Sequence, residues 1–146
     1  MRISKKAEYA LRALVAIARH RCSVQIHELS RREKIPVKFL EQILLALKNA
    51  GWLASKRGVG GGYALRVDPS RIAVGEVIRL LDGPLAPVPC AASQPDETCT
   101  CPDPRTCVLR LFMTGVREEL GVLLDRQTIE DMLRLSPEGG ALAFEI

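Results

Sequence analysis

The sequence predicts a mainly α protein with a small β-hairpin wing, a winged helix-turn-helix followed by a long C-terminal dimerisation helix. Three observations carry that reading. Apolar residues recur at helical spacing in three segments before Gly51, two short strand-like runs then flank a glycine-rich turn, and a broad apolar stripe begins at Cys107.

Ser4 is placed to cap a first helix of about four turns, with Ala7, Ala10, Leu11, Leu14, Ile17 and Ala18 on one stripe and Lys5, Glu8, Arg12 and Arg19 opposite. A short second helix is expected over Val24–Arg31, with Ile26 and Leu29 inward. Arg32–Ile35 then turns the chain. Pro36 opens a third helix, where its missing amide hydrogen is harmless, and Gly51 ends it after Ala50. Phe39, Leu40, Ile43, Leu44 and Leu47 fall on its buried side, leaving Lys38, Glu41, Gln42, Leu45, Lys48 and Asn49 outside. Trp52–Lys56 and Gly62–Val67 suit two strands joined by Arg57-Gly58-Val59-Gly60-Gly61. Val74–Leu81 reads as a further helix stopped by Asp82-Gly83-Pro84. Pro84–Pro104 holds six of the nine prolines and three of the five cysteines and is a loop by composition.

From Cys107 a long helix carries Val108, Leu111, Phe112, Val116, Leu120, Leu123 and Leu124 at spacings of three and four. So wide a stripe needs a partner. The economical one is the same helix in a second copy; the alternative is packing against the first helix of its own chain. Gln127–Leu135 adds a short last helix, and the tail after Pro137 looks loosely held. The expected organisation is 1–82 winged helix-turn-helix, 83–106 cysteine-bearing loop, 107–135 dimerisation helix and final helix, and 136–146 tail.

With 47% hydrophobic and 26% charged residues the 146-residue chain sits in the globular range, which excludes wholesale disorder and a disulfide-only miniprotein. The longest uncharged run, Gly83–Pro95, is thirteen residues broken by four prolines, too short and too kinked for a bilayer. The start is basic and then apolar like a secretion signal, but Glu8 and Arg12 interrupt it and no small-residue cleavage site follows. A cytoplasmic protein is expected.

The net charge of +4 conceals an asymmetry. Residues 1–66 hold fourteen Lys and Arg against four Asp and Glu, whereas residues 67–146 hold seven against thirteen. A first half this basic suits a polyanion, most simply nucleic acid. On the third helix Gln42 can pair with adenine, Glu41 can accept from the cytosine amine, and Lys38 can reach guanine or a phosphate. Glu41 and Lys38 are alternatively a surface ion pair. Leu45 either touches a thymine methyl or packs against the wing. The glycine loop lacks both the dinucleotide fingerprint, since Tyr63 stands where glycine is required, and the Lys-Ser/Thr pair of a P-loop. It fits a wing tip flanked by Lys56 and Arg57, with Arg57 entering the minor groove, or else a plain hairpin with a solvated arginine.

Cys90, Cys99, Cys101 and Cys107 fall within eighteen residues. Such thiolates suit iron–sulfur clusters, zinc or copper(I), but the spacing offers neither the paired knuckles of structural zinc nor a C-x-x-C redox motif. Cys22 stands apart as a small buried residue or a surface thiol. His20 and His27 lie outside the cysteine loop in sequence, and no nucleophile-base spacing is evident, so an enzyme is not expected.

These features resemble a known group, the bacterial transcription regulators of the IscR and NsrR type. The resemblance is carried by Met1-Arg2-Ile3-Ser4-Lys5-Lys6 with Tyr9-Ala10, Phe39-Leu40-Glu41-Gln42, Arg57-Gly58 with Gly60-Gly61-Gly62-Tyr63, Val74-Gly75-Glu76-Val77-Ile78 and the late cysteines. It implies a homodimeric repressor or activator that binds palindromic promoter DNA and holds a 2Fe–2S or 4Fe–4S cluster. It also implies that Glu41 and Gln42 read bases, that Arg57 enters the minor groove and that Cys90, Cys101 and Cys107 bind iron; Lys5, Lys38, Lys56 and Tyr63 are further candidate DNA contacts. The insertion Ala91–Thr100 leaves Cys99 as an alternative to Cys101. Where IscR-like proteins place a ligating histidine, three residues after Cys107, this chain has Arg110, which cannot bind metal. The resemblance to NsrR-like proteins then points to Glu8 of the other subunit as fourth ligand, against an ion pair with Arg12. The rival expectation is a regulator of the same fold without a cluster, using zinc or thiol–disulfide switching.

Overall fold

A computed structural model describes residues 2–20, 22–92, 99 and 101–135. The order is three helices, a hairpin, then three helices: α1 (Lys5–Ala18), α2 (Ile26–Glu33), α3 (Val37–Asn49), β1 (Leu53–Lys56), β2 (Gly62–Leu65), α4 (Val74–Asp82), α5 (Val108–Arg126) and α6 (Ile129–Arg134). The mainly α winged helix-turn-helix is the predicted fold. The expectation for the tail after Pro137 falls outside the described residues.

α1 is central because its buried face is largely small. Ala7, Ala10, Ala13, Leu14, Ala16 and Ile17 are all buried, so α3 and α4 can pack closely against it. Its cap is as expected, the Ser4 hydroxyl accepting from the Ala7 amide at 3.1 Å. The hydroxyl also donates to Asp82, whose carboxylate takes the Ser4 amide at 2.7 Å. The end of α4 is thereby fastened to the start of α1.

α2 starts two residues later than the periodicity suggests. Val24 pairs instead with Tyr63 as an isolated β-bridge, their amides and carbonyls bonding at 2.8 and 2.9 Å. Gly62 allows that approach, since a Cβ there would lie 2.4 Å from the Val24 carbonyl oxygen. The expected turn shortens because α2 continues to Glu33 and ends on Lys34, a non-glycine residue in the left-handed region at φ 54°. On α3, Leu40, Ile43, Leu44 and Leu47 are buried as expected, but Phe39 is 40% exposed. Its ring meets Tyr9 edge-on, with centroids 5.8 Å apart, at the margin of the core.

The hairpin is antiparallel, pairing Leu53 with Leu65 and Lys56 with Gly62. Both strands are shorter than predicted, although the Arg66 amide still reaches the Trp52 carbonyl at 2.9 Å. α4 buries Val74, Val77 and Ile78 and stops at Gly83, φ 78°. In the following loop Pro89–Ala91 forms a 3-10 turn that buries Ala91.

α5 differs from the other helices in having no buried residue. Its main neighbours are α4 and the Pro89–Ala91 turn, not α1, and an Arg79–Asp125 ion pair at 2.5 Å joins it to α4. Val108, Leu111, Phe112 and Val116 are 77, 65, 66 and 37% exposed. The chain then re-enters the core. Gln127 and Ile129 exchange backbone bonds with Val74 and Ile72, and Ile129 is fully buried. Thr128 and Asp131 form a reciprocal capping box at the start of α6.

Candidate nucleic-acid interface and cysteine site

The outward face of α3 presents Lys38, Glu41, Gln42 and Leu45, all exposed and at spacings of three and four that put them on one side of the helix. Among the described residues no ion pair joins Lys38 to Glu41, so the carboxylate faces solvent. Leu45 is 56% exposed. Lys48 donates to the Ser55 hydroxyl at 2.7 Å, fixing the end of α3 against β1.

Beside this face stands the wing, with Lys56 and Arg57 exposed at its tip. The tip is tight: Gly58 and Gly60 have φ of 91° and 71°, and a Cβ on Gly61 would lie 2.4 Å from the Lys56 carbonyl oxygen. Ser23 donates to the Gly60 carbonyl at 2.8 Å, and the Val24–Tyr63 bridge ties β2 to the approach of α2. The wing is therefore held to the helix-turn-helix by bonds from residues 23 and 24, which nothing local in the sequence signals. Tyr63 is half-buried and packs its ring against the core.

On α1, Lys5 is exposed, but its ammonium bonds Glu8 at 2.7 Å and lies over the Tyr9 ring. Arg12 approaches Glu8 at 3.6 Å from the other side. The Lys5 hydrogen bond, more than the nearby positive charges, holds the Glu8 carboxyl below the ordinary carboxylate range. Within one chain the structure brings Glu8 to two cations and not to the cysteines.

Cys107 is the N-cap residue of α5, and its sulfur lies 3.9 Å from that of Cys101. The neighbouring thiols of Cys99 and Cys107 push the Cys101 thiol up to about 11. Cys107 moves the other way, because the backbone amide of Arg110 in the first turn of α5 stabilises its thiolate. Cys90 lies on the Pro89–Ala91 turn. That turn is held to α5 by Arg117, which is largely covered and donates to the Ala91 carbonyl at 2.7 Å. Among the described residues no three metal-ligating side chains are grouped closely enough to hold an ion. Arg110 donates to the Pro104 carbonyl at 3.3 Å. All five cysteines are free thiols, and Cys22 is at the surface. No described helix is long and apolar enough to cross a membrane.

Comparison with known proteins matches this architecture over nearly its full length. The family model Rrf2, described as an iron-dependent transcriptional regulator, matches residues 3–135. A putative HTH-type transcriptional regulator, rrf2-like, from Rhodobacter capsulatus is 41% identical over 137 residues, covering 90% of this chain and 91% of the relative. Among solved structures, CymR of Bacillus subtilis, described as its global cysteine regulator, superposes with a TM-score of 0.73 at 30% identity, covering 91% of this chain and 96% of that one. An IscR from T. potens gives a TM-score of 0.72 at 29% identity, with coverage of 91% and 86%. These relatives are named as regulators and not as enzymes. With a basic helix-turn-helix and a glycine-tipped wing set side by side, the chain is a DNA-binding transcriptional regulator and belongs to the Rrf2 family.

Proposed function

We propose that this regulator is a homodimer whose operator affinity is set by an iron–sulfur cluster, 2Fe–2S or 4Fe–4S. Cys90, Cys101 and Cys107 would hold it, with Cys99 as the alternative to Cys101 and Glu8 of the partner subunit as fourth ligand. Thiolates are the donors such clusters take, and Arg110 removes the histidine route, so an anionic oxygen ligand fits what remains. When bound, the cluster supplies a detachable link sensitive to oxygen, nitric oxide or iron supply.

One observation carries the reading: Cys107 caps the helix whose apolar face lies uncovered in the single chain. Ligand and dimer contact thus share one rigid element, and a change at the thiols bears on the spacing of two reading heads. On DNA, Glu41 and Gln42 would read bases, Lys38 a guanine or a phosphate, and Arg57 the minor groove; Lys5, Lys56 and Tyr63 would contact the duplex beside them. Two half-sites about one helical turn apart follow from the two-fold axis. The organisation 1–82, 83–106, 107–135 and 136–146 and a cytoplasmic location belong to the same proposal.

The test is binding to promoter duplex by anaerobically reconstituted protein and by apoprotein, each over a range of salt. Cluster control predicts different affinities at every salt concentration, and phosphate contact predicts a negative slope of log affinity on log salt. Equal affinities refute cluster control; a flat slope refutes the basic face as the DNA surface. A second reading, a cluster-free regulator using zinc or thiol–disulfide chemistry, is favoured by the close Cys101–Cys107 pair and by similarity to the cysteine regulator CymR. Colourless protein containing zinc and no sulfide would select it.

A further inference from the structure

We propose that Cys101 and Cys107 close an intrachain disulfide when the cluster-free protein meets a peroxide, making this pair a reversible modification site. Their sulfurs are 3.9 Å apart, so an approach of about 2 Å completes a bond of ~2.05 Å. The segment between them is already folded back: Asp103 accepts from the Arg105 amide at 2.9 Å, and Arg110 holds the Pro104 carbonyl at 3.3 Å. Both thiols are half-buried and open to a small oxidant. The competing pairs are poorer. Cys90 is held on its own turn by Arg117, Cys22 is remote in sequence beside the wing, and Cys99 is one residue from Cys101, too close for an unstrained bridge.

The step balances. The Cys107 sulfur, at the N-terminus of α5, attacks a peroxide oxygen; the O–O bond breaks, leaving a sulfenic acid and one water or alcohol. The Cys101 sulfur attacks that sulfenic sulfur, the S–S bond forms and water leaves. Two thiols lose two protons and two electrons, and the peroxide is reduced. The consequence rests on the cluster reading above: the oxidised chain has lost two thiolate ligands and cannot reload until a thiol reductant reopens the bond.

The experiment treats the full-length apoprotein with hydrogen peroxide and reads intact mass and the alkylated peptide map. The expected result is a loss of about 2 Da on most chains, a Cys101–Cys107 crosslink, and full reversal by dithiothreitol. Cys101→Ser and Cys107→Ser abolish the product, while Cys22→Ser, Cys90→Ser and Cys99→Ser retain it. A crosslink through Cys99 or Cys90, an interchain disulfide, or only oxygen additions overturns the proposal. Iron and sulfide uptake, measured before and after oxidation, separates the two readings. Uptake lost on oxidation and restored by reductant supports both, whereas no uptake in either state refutes the cluster while the crosslink stands on its mass.

Discussion

Replacing Phe112 by Ala removes the largest uncovered ring on α5 and tests whether that face is the dimer contact. A phenylalanine side chain offers roughly 200 Å² to burial, and Phe112 is 66% exposed, leaving about 130 Å² for a partner to cover. At ~25 cal/mol per Å² this is about 3 kcal/mol per copy. A two-fold interface buries the ring of both copies, so the ceiling is about 6 kcal/mol, or roughly ten-thousandfold in the dissociation constant. The translational cost of association is common to wild type and variant and drops out of the comparison. Sedimentation equilibrium of the apoprotein should show at least a hundredfold weaker dimer for Phe112→Ala. The control is Leu80→Ala, which truncates an exposed apolar residue of α4 and not of α5, and should leave the constant within about threefold. A wild type that stays monomeric at high micromolar concentration, or a Phe112→Ala dimer as tight as the control, would refute the argument.

Three further outcomes are expected. Thr128 holds the Asp131 carboxyl below its ordinary range by hydrogen bonding, so the cap stabilises the fold above the usual carboxylate pKa and loses that contribution as pH falls through the lowered value. Thr128→Ala should cost about 1 kcal/mol at pH 7 in chemical denaturation, with the gap between wild type and Asp131→Asn closing below roughly pH 4. Arg117→Met removes a charge-assisted bond worth about 1.4 kcal/mol, so iodoacetamide should alkylate Cys90 of the apoprotein about tenfold faster; an unchanged rate would show that the turn holds itself. If Leu45 meets a thymine methyl, changing that thymine to uracil in a selected operator should weaken wild type several-fold and Leu45→Ala not at all, by fluorescence anisotropy.

Periodicity was enough to locate α1, α3, α4 and α5, because each is long and one-sided or apolar on a wide face. It failed where a long-range bond competes with local preference. Val24 has the spacing of a helical residue but is taken by Tyr63, thirty-nine residues on, and Phe39 lies on the apolar stripe of α3 yet ends at the rim, where Tyr9 meets it. At the candidate site, the exposed polar face of α3 and the glycine pattern of the wing were visible because composition and spacing encode them. The fastenings were not. Ser23 to Gly60, Ser4 to Asp82 and Arg117 to Ala91 join residues 26 to 78 positions apart through ordinary side chains, and no pattern distinguishes those from their solvated neighbours. The Thr128–Asp131 box did have a local signal, a threonine three residues before a carboxylate, which the helical reading of Gln127–Leu135 passed over.

The nineteen-residue α5 encloses nothing of its own, while its middle is tied through Arg117 to the proline-rich segment and the chain just beyond its end is anchored through Ile129 in the main core. A helix so suspended behaves as a strut: it resists bending along its length yet draws little cohesion from the body that carries it. If a second copy lends that cohesion, dilution and melting become one process, and the temperature at which this span unravels rises with protein concentration.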